Sequence, residues 1–393
     1  MIAVVADDLT GAAELGGIGL RYNLKVEINA EVNPQSQADL LVISTDTRSK
    51  PREEAVRVMT KVTEELLKLQ PRLIYKKVDS VLRGHVLAEM EAQLRVLELE
   101  RALLVPANPS LGRVLVNGEY LINGTPIHET SFSHDPEFAI TTSEVRSILG
   151  AGELPVHVQQ HQEPLPATGI IVGEATSTAD LQTWASLTDH STFAAGASGF
   201  FTALLDQLVP QAADSPEAAK DAFGSPALYV CGTTFSESRN AIRKIKENGG
   251  PVCYMPAEIA LAAAPAEEAF EKWCAAIVSC LHTTGKAIIA IAAETTAGVT
   301  TSADDLRKKT ARVVQLVFAE TVLRELVLEG GSTAFAVLKA LHLQEFYPIR
   351  EAGPGVIRMR VGSKPHLCLT LKPGSYAWGP DIWDFKGTKA GVS

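Results

Sequence analysis

No two cysteines in this chain stand in CxxC spacing, no long basic segment interrupts it, and no apolar run approaches membrane length. Each absence excludes something. The five cysteines, Cys231, Cys253, Cys274, Cys280 and Cys368, lack metal-ligand spacing and are odd in number. They read as reduced thiols of a cytosolic protein. The 36 basic side chains are outnumbered by 46 acidic ones, a formal charge of −10, which argues against a general nucleic-acid binder. Met1-Ile-Ala-Val-Val-Ala-Asp-Asp8 has no basic region ahead of its apolar residues, so it is not read as a signal peptide. Ala287–Ala293 is far too short to span a bilayer. The expectation is a cytoplasmic protein that binds neither nucleic acid nor membrane.

What is present is 393 residues, 46% of them hydrophobic, enough for two or three domains with substantial cores. Short apolar runs alternate with longer amphipathic stretches. Candidate strands are Ile2–Ala6, Val26–Ile28, Leu40–Ser44, Leu73–Lys77, Ala102–Val105 and Gly169–Val172, with helical patterns at Pro51–Leu69 and Val86–Glu98. That alternation predicts an α/β fold of two domains, each a mainly parallel sheet flanked by helices. Residues 108–165 break the rhythm with turn signals at Asn108-Pro, Asn117-Gly and Asn123-Gly; Val114–Ile127 reads as a hairpin opening a long excursion. Residues 210–226, with three prolines, read as a linker between a first domain, 1–209, and a second, 227–393. In the second, Ala227–Cys231, Pro251–Met255, Ala287–Ala292 and Leu326–Leu328 are candidate strands.

Four polar clusters follow strands of the first half. They are Ala6-Asp7-Asp8-Leu-Thr-Gly11, Ser44-Thr-Asp46-Thr-Arg48, Lys76-Lys77-Val-Asp79-Ser80-Val-Leu-Arg83-Gly84 and Pro106-Ala-Asn-Pro-Ser-Leu-Gly-Arg113. In open parallel sheets the ligand crevice lies beyond the carboxyl ends of the strands. If these strands are neighbours, the clusters share one rim of carboxylates, guanidiniums and small hydroxyls. Such a mix suits a small, polyhydroxylated anion, because arginine forks grip carboxylates and carboxylates accept hydrogen bonds from sugar hydroxyls. One aspartate could act as general base on a hydroxyl about to be phosphorylated. The competing reading makes Asp8 the cap of a helix opening at Leu9 and Asp79 a cap near Arg83. His157 and His161 have i, i+4 spacing but no supporting helix pattern and read as surface histidines.

In the second half, Leu326-Val-Leu-Glu-Gly330-Gly331-Ser332-Thr333 runs from strand through a glycine turn into a helical pattern ending near Leu341. Paired glycines admit a phosphate and a helix N-terminus offers free N–H groups; the plain alternative is a βα turn capped by Ser332. Gly353-Pro-Gly355 could edge a nucleotide pocket, and Lys372-Pro-Gly374 could clamp a phosphate. No Walker A pattern occurs.

On these residues the chain resembles the four-carbon acid sugar kinases, a family long described only as a domain of unknown function. The resemblance covers nearly the whole chain and is strongest in Ala6–Ala12, Ser44–Arg48, Lys76–Gly84 and Pro106–Arg113. It implies an acid-sugar-binding N-terminal domain and a nucleotide-binding C-terminal domain. The implied reaction uses ATP and Mg2+ to phosphorylate the terminal hydroxyl of a threonate-, erythronate- or 3-oxo-tetronate-like acid in a cleft between the domains. It further implies that Asp7, Asp8, Asp46, Arg48, Asp79, Ser80 and Arg83 line the acid-sugar site; read with the strand-end clusters, Asp7 or Asp8, with Asp8 favoured, is the expected catalytic carboxylate, and Lys77 and Arg113 join the substrate-binding residues. Arg48 and Arg83 would hold the substrate's carboxylate. Gly330, Gly331, Thr333, Gly355 and Gly374 would line the nucleotide site by the same resemblance, Ser332 and Lys372 are added to it from the loop pattern, and no side chain is assigned as a metal ligand. The second half departs from the family pattern at Ser332, where an acidic residue is usual, and at Lys372–Tyr376, which marks a divergent subgroup. The partners expected are a sugar acid and ATP, with a homodimer as one assembly open to it. The alternative is a non-catalytic sugar-acid-binding or sensor protein on the same scaffold. A nicotinamide-dependent reductase lacks its GxGxxG signature here.

Overall fold

The structure is a computed structural model that describes residues 1–135, 137–209, 222–232, 235–292, 295, 302–374, 376, 378–379 and 381–385. The chain forms two compact units, Met1–Pro216 and Glu217–Ser393. Most of the linker expected at 210–226 lies outside the described residues.

Eight strands build the sheet of the first unit. They are β1 (Ile2–Ala6), β2 (Val26–Asn29), β3 (Leu40–Ser44), β4 (Leu73–Lys77), β5 (Arg101–Val105) and, after the excursion, β9 (Val156–Gln159), β10 (Gly169–Gly173) and β11 (Thr192–Gly196). Their order is β2-β3-β1-β4-β11-β5-β10-β9, and every pairing is parallel. Parallel strands covered on both faces read as continuous apolar runs, and β1 and β3 are buried at every residue. Helices α1 (Leu9–Arg21), α2 (Arg52–Leu67) and α3 (Val86–Leu97) supply the cover. On α2 the buried residues Ala55, Met59, Val62 and Leu66 recur at the helical period, and its charged residues keep the solvent side.

β11 was not foreseen. Thr192-Phe-Ala-Ala-Gly196 enters between β4 and β5, so the fourth polar cluster is one strand further from the third than simple succession implies. The expected hairpin is a separate three-stranded antiparallel sheet of β6 (Arg113–Val116), β7 (Glu119–Ile122) and β8 (Thr125–Pro126). Asn117 and Asn123 make its two tight turns in left-handed backbone, each at φ 51°, the conformation that Asn-Gly favours.

The second unit orders its strands β13-β14-β12-β15-β18-β17-β16, from β12 (Ala227–Cys231), β13 (Val252–Tyr254), β14 (Lys286–Ala290), β15 (Glu325–Glu329), β16 (Glu345–Glu351), β17 (Ile357–Val361) and β18 (Lys364–Lys372). The first five in that order are parallel, and β17 and β16 add an antiparallel edge. No described helix is long and apolar enough to cross a membrane.

Candidate active site

Backbone register puts the first unit's clusters at one level. Ala6 pairs with Ser44 on one side and with Lys77 on the other, Lys77 pairs with Gly196, and Gly196 pairs with Val105. Five strands therefore end in line. β1 lies between β3 and β4, where the strand order reverses, which is where open α/β sheets bind ligands.

Asp8 is the N-cap of α1, so the capping reading holds; it is also part of a charge cluster. Its Oδ1 accepts the Gly11 N–H at 2.7 Å, and its Oδ2 accepts the Thr10 hydroxyl at 2.6 Å and Arg48 Nη1 at 2.8 Å. Gly11 is required by close approach, since a Cβ there would stand 2.8 Å from Asp8 Oδ1 and 3.2 Å from Lys77 Nζ. Arg48 turns its Nε and Nη2 to the two oxygens of Asp7 at 2.9 and 3.0 Å, and Nη2 lies 3.7 Å from Asp79. Arg83 grips Asp79 in the same way, Nε at 2.7 Å and Nη2 at 3.0 Å. Gly84, at φ 91°, turns the chain beside Arg48, and a Cβ there would meet Arg48 Cγ at 3.1 Å. Asp79 accepts the Arg83 amide at 3.2 Å, but the helix expected there begins only at Val86.

Alternation along β4 separates its two lysines. Lys76 is fully buried against Glu89 at 2.6 Å. Lys77 enters the cluster, donating to the Val78 carbonyl at 2.9 Å with Glu14 at 3.6 Å. Asp46 lies at the same rim in left-handed backbone, φ 50°, and is half-buried.

The electrostatics follow from this pairing. Burial alone would raise the Asp79 carboxyl, but the Arg83 and Arg48 guanidiniums outweigh it and hold the group far below the ordinary carboxylate range. For Asp8, burial is likewise outweighed by Arg48 and Lys77 together with the Thr10 hydroxyl and Gly11 amide, and the carboxyl is lowered. Arg48 is pushed the other way: burial opposes its charge, and Asp7, Asp8 and Asp79 restore it with surplus. Both aspartates are therefore ionised at neutral pH.

Three residues of the excursion join the site without having been singled out in the sequence. Asp135 Oδ2 accepts Arg83 Nη1 at 2.7 Å, the Phe132 ring lies 5.5 Å from the Arg83 guanidinium and 6.0 Å from that of Arg113, and Tyr120 donates to the carbonyls of Ser80 and, at 3.2 Å, Pro106. Arg113 Nη1 donates to the Ser80 hydroxyl. The only sequence signal was the departure of 108–165 from the strand-helix rhythm. His161 sits 3.3 Å from Asp180 and edge-on to Trp184, while His157 lies on β9.

The second unit repeats the level rim: Cys231 pairs with Ala290 and Glu329, and Glu329 with Lys372. Gly330, at φ 91°, opens the helix Gly331–Ala340, and nothing lies within 4 Å of where its Cβ would be. The first intrahelical bond is Ala334 N to Gly330 O at 2.9 Å, which leaves the amides of Gly331, Ser332 and Thr333 ahead of it. Gly355, in the turn between β16 and β17, packs against Tyr376. Lys372 is fully buried, 2.6 Å from Glu329, and its ammonium donates to the carbonyls of Pro373 at 3.0 Å, Gly374 at 3.3 Å and Tyr376 at 2.5 Å. Expected as a phosphate clamp, Lys372 is spent on shaping the loop that follows it.

Residues 2–204 match a family profile described as a sugar-binding N-terminal domain, and residues 228–376 one described as a nucleotide-binding C-terminal domain. A D-threonate kinase of Salmonella typhimurium is 34% identical over 39% of this chain and 37% of its own length. A D-erythronate kinase of Heliobacterium modesticaldum is 28% identical over 66% and 63%. These alignments span less than two thirds of both relatives, whereas a 3-oxo-tetronate kinase of Cupriavidus necator is 25% identical over 98% of this chain and 96% of its own. Solved structures of a Haemophilus influenzae protein (TM-score 0.71, 17% identity, 96% and 98% of the two chains) and a Salmonella typhimurium protein (0.79, 18%, 97% and 97%) share the fold.

Proposed function

Because the chain belongs to the four-carbon acid sugar kinase family, we propose that it transfers the terminal phosphoryl group of ATP to the terminal hydroxyl of a small sugar acid. The acid is of the threonate, erythronate or 3-oxo-tetronate kind, the substrates named for its relatives. One observation carries the reading: an ionised carboxylate, Asp8, stands on the strand-end rim at the point where the sheet order reverses. Its side chain is 14% exposed against 4% for Asp7.

In this scheme Asp8 accepts the hydroxyl proton as the oxygen–phosphorus bond forms and the bond to the departing ADP oxygen breaks. The lowered carboxyl keeps Asp8 ionised at neutral pH, the form that can accept a proton. Asp7 fixes Arg48, and Arg48 fixes Asp8. Asp46, Lys77, Asp79 and Ser80 offer hydrogen-bonding groups to the substrate's hydroxyls. The open turn at Gly330 and the first-turn amides of Gly331, Ser332 and Thr333 fit a phosphate, with Gly355 and Gly374 on neighbouring turns. Magnesium, when bound, neutralises charge on the phosphate oxygens. Asp7, Asp8 and Asp79 are already paired with guanidiniums, so the donor set fits an ion that would be held mainly by phosphate and water.

The test is ADP release over a panel of four- to six-carbon sugar acids. Turnover of one of them, with kcat lowered about 10²–10⁴-fold in D8N, supports the proposal. Acid binding without turnover would return the protein to the binding or sensor alternative.

A further inference from the structure

Three arginines meet in the first unit's site, and two present the same edge to a carboxylate. Arg48 turns Nε and Nη2 to Asp7, and Arg83 turns Nε and Nη2 to Asp79; their remaining nitrogens reach Asp8 and Asp135. Both forks are filled from within the protein. They are therefore poorly placed to hold the substrate carboxylate, the role expected of them from the sequence.

Arg113 differs. Among the described residues it has no carboxylate within 4 Å, and the one hydrogen-bond partner of its side chain is the Ser80 hydroxyl, on Nη1. Its Nε/Nη2 edge has no partner among them. Arg113 is half-buried, and its guanidinium faces the Phe132 ring that also lies against Arg83. An aromatic face attracts a cation and leaves its in-plane N–H groups available to an acceptor. Arg83 has its charge answered by Asp79 and Asp135; Arg113 does not. A partly desolvated guanidinium without an anion, beside two arginines whose same edge is completed by one, lacks a carboxylate.

From this geometry we propose that Arg113 binds the carboxylate of the substrate through its Nε/Nη2 edge, with Ser80 and Phe132 as positioning residues that orient the guanidinium. The inference rests on the sugar-acid reading and assigns that site its source of acid selectivity. Arg48 and Arg83 are then internal struts. The acid end of the substrate lies at Arg113 and its reacting hydroxyl at Asp8, so the span between them selects chain length.

The experiment compares threonate and erythronate with their uncharged counterparts threitol and erythritol, using calorimetry and initial rates on the full chain and on R113M, R113K and F132L. The wild type is expected to bind the acids and reject the polyols. R113M should weaken acid binding on the order of a hundredfold, with KM rising far more than kcat falls. R113K, which keeps the charge but not the fork, should recover only part of the loss, and F132L should fall between wild type and R113M. Unchanged melting temperatures separate these effects from misfolding, and F132L or R113K decides the matter if R113M does not fold. Acid preference that survives in R113M and R113K overturns the assignment of Arg113 and leaves the kinase reading standing. Acid binding lost in R113M, with no turnover even in wild type, supports Arg113 and overturns the kinase reading. A wild-type protein that binds no acid overturns both.

Discussion

Arg48 holds Asp7 at two points, Nε to Oδ2 at 2.9 Å and Nη2 to Oδ1 at 3.0 Å, and spends its third nitrogen on Asp8 at 2.8 Å. One side chain from the loop after β3 thereby fixes both aspartates of the loop after β1. A lysine carries the charge but cannot supply three coplanar donors. R48K should lower kcat/KM for the acid substrate at least tenfold and cost on the order of 2–4 kcal/mol of stability, because it leaves buried carboxylates half-partnered. Steady-state rates and urea unfolding check the two effects separately.

Asp79 predicts a pH dependence of definite sign. Its carboxyl is held far below the ordinary value by Arg83 and Arg48 against burial. A depressed folded-state pKa gives stability that is complete above the unfolded value, about 3.9, and is lost as pH falls below it. Wild-type unfolding free energy should therefore drop steeply below about pH 4. D79N should be less stable at pH 7 by about 3 kcal/mol, since it strands Arg83, and should show a shallower decline in acid. Parallel slopes for the two proteins would count against this account.

Lys372 and Glu329 form a fully buried pair at 2.6 Å. Such pairs add little net stability, yet removing one member leaves an unanswered charge. K372M is expected to destabilise the second unit by about 3–5 kcal/mol. The double variant K372M/E329M should recover much of that loss, and urea titrations of the three proteins test it.

The thiols should differ in reactivity. Cys280 Sγ lies 3.6 Å from Cys253 Sγ, and that hydrogen bond draws the Cys280 thiol down to about 7. Burial, with Glu329 nearby, pushes Cys231 far up. Because the thiolate is the nucleophile, iodoacetamide at pH 7.5 should label Cys280 before Cys231, as read by peptide mass spectrometry. Equal rates at the two would contradict the geometry.

Much of this was legible in advance, and the limits have physical causes. The strand-end clusters could be read because parallel strands buried on both faces leave unbroken apolar runs, and polar residues resume where the sheet ends. β11 escaped because Thr192-Phe-Ala-Ala-Gly196 is built mostly of small residues, and its neighbours in the sheet are set by tertiary pairing. Asp135 lies 52 residues from Arg83 in sequence, so no local pattern announces that contact. Lys372 looked like a residue available to a phosphate at a strand end, and Glu329 was not singled out. Register brings them together, and burial without a ligand makes them partners.

The three-stranded sheet β6–β8 and the turns after it carry Arg113, Phe132 and Asp135, whereas Asp7, Asp8, Arg48 and Asp79 sit in the loops that leave β1, β3 and β4. On the proposed reading, the groups of the chemical step and the group that recognises the acid come from different segments of one unit. Leu115, Tyr120 and Ile127 anchor the smaller sheet in the same core as Ala102, Leu104 and Ile170, so substitutions there are tolerated best at its exposed turn, residues 123–125. On that reading, a change of acid calls for remodelling the insertion around Arg113, while the loops that carry Asp7 and Asp8 stay as they are.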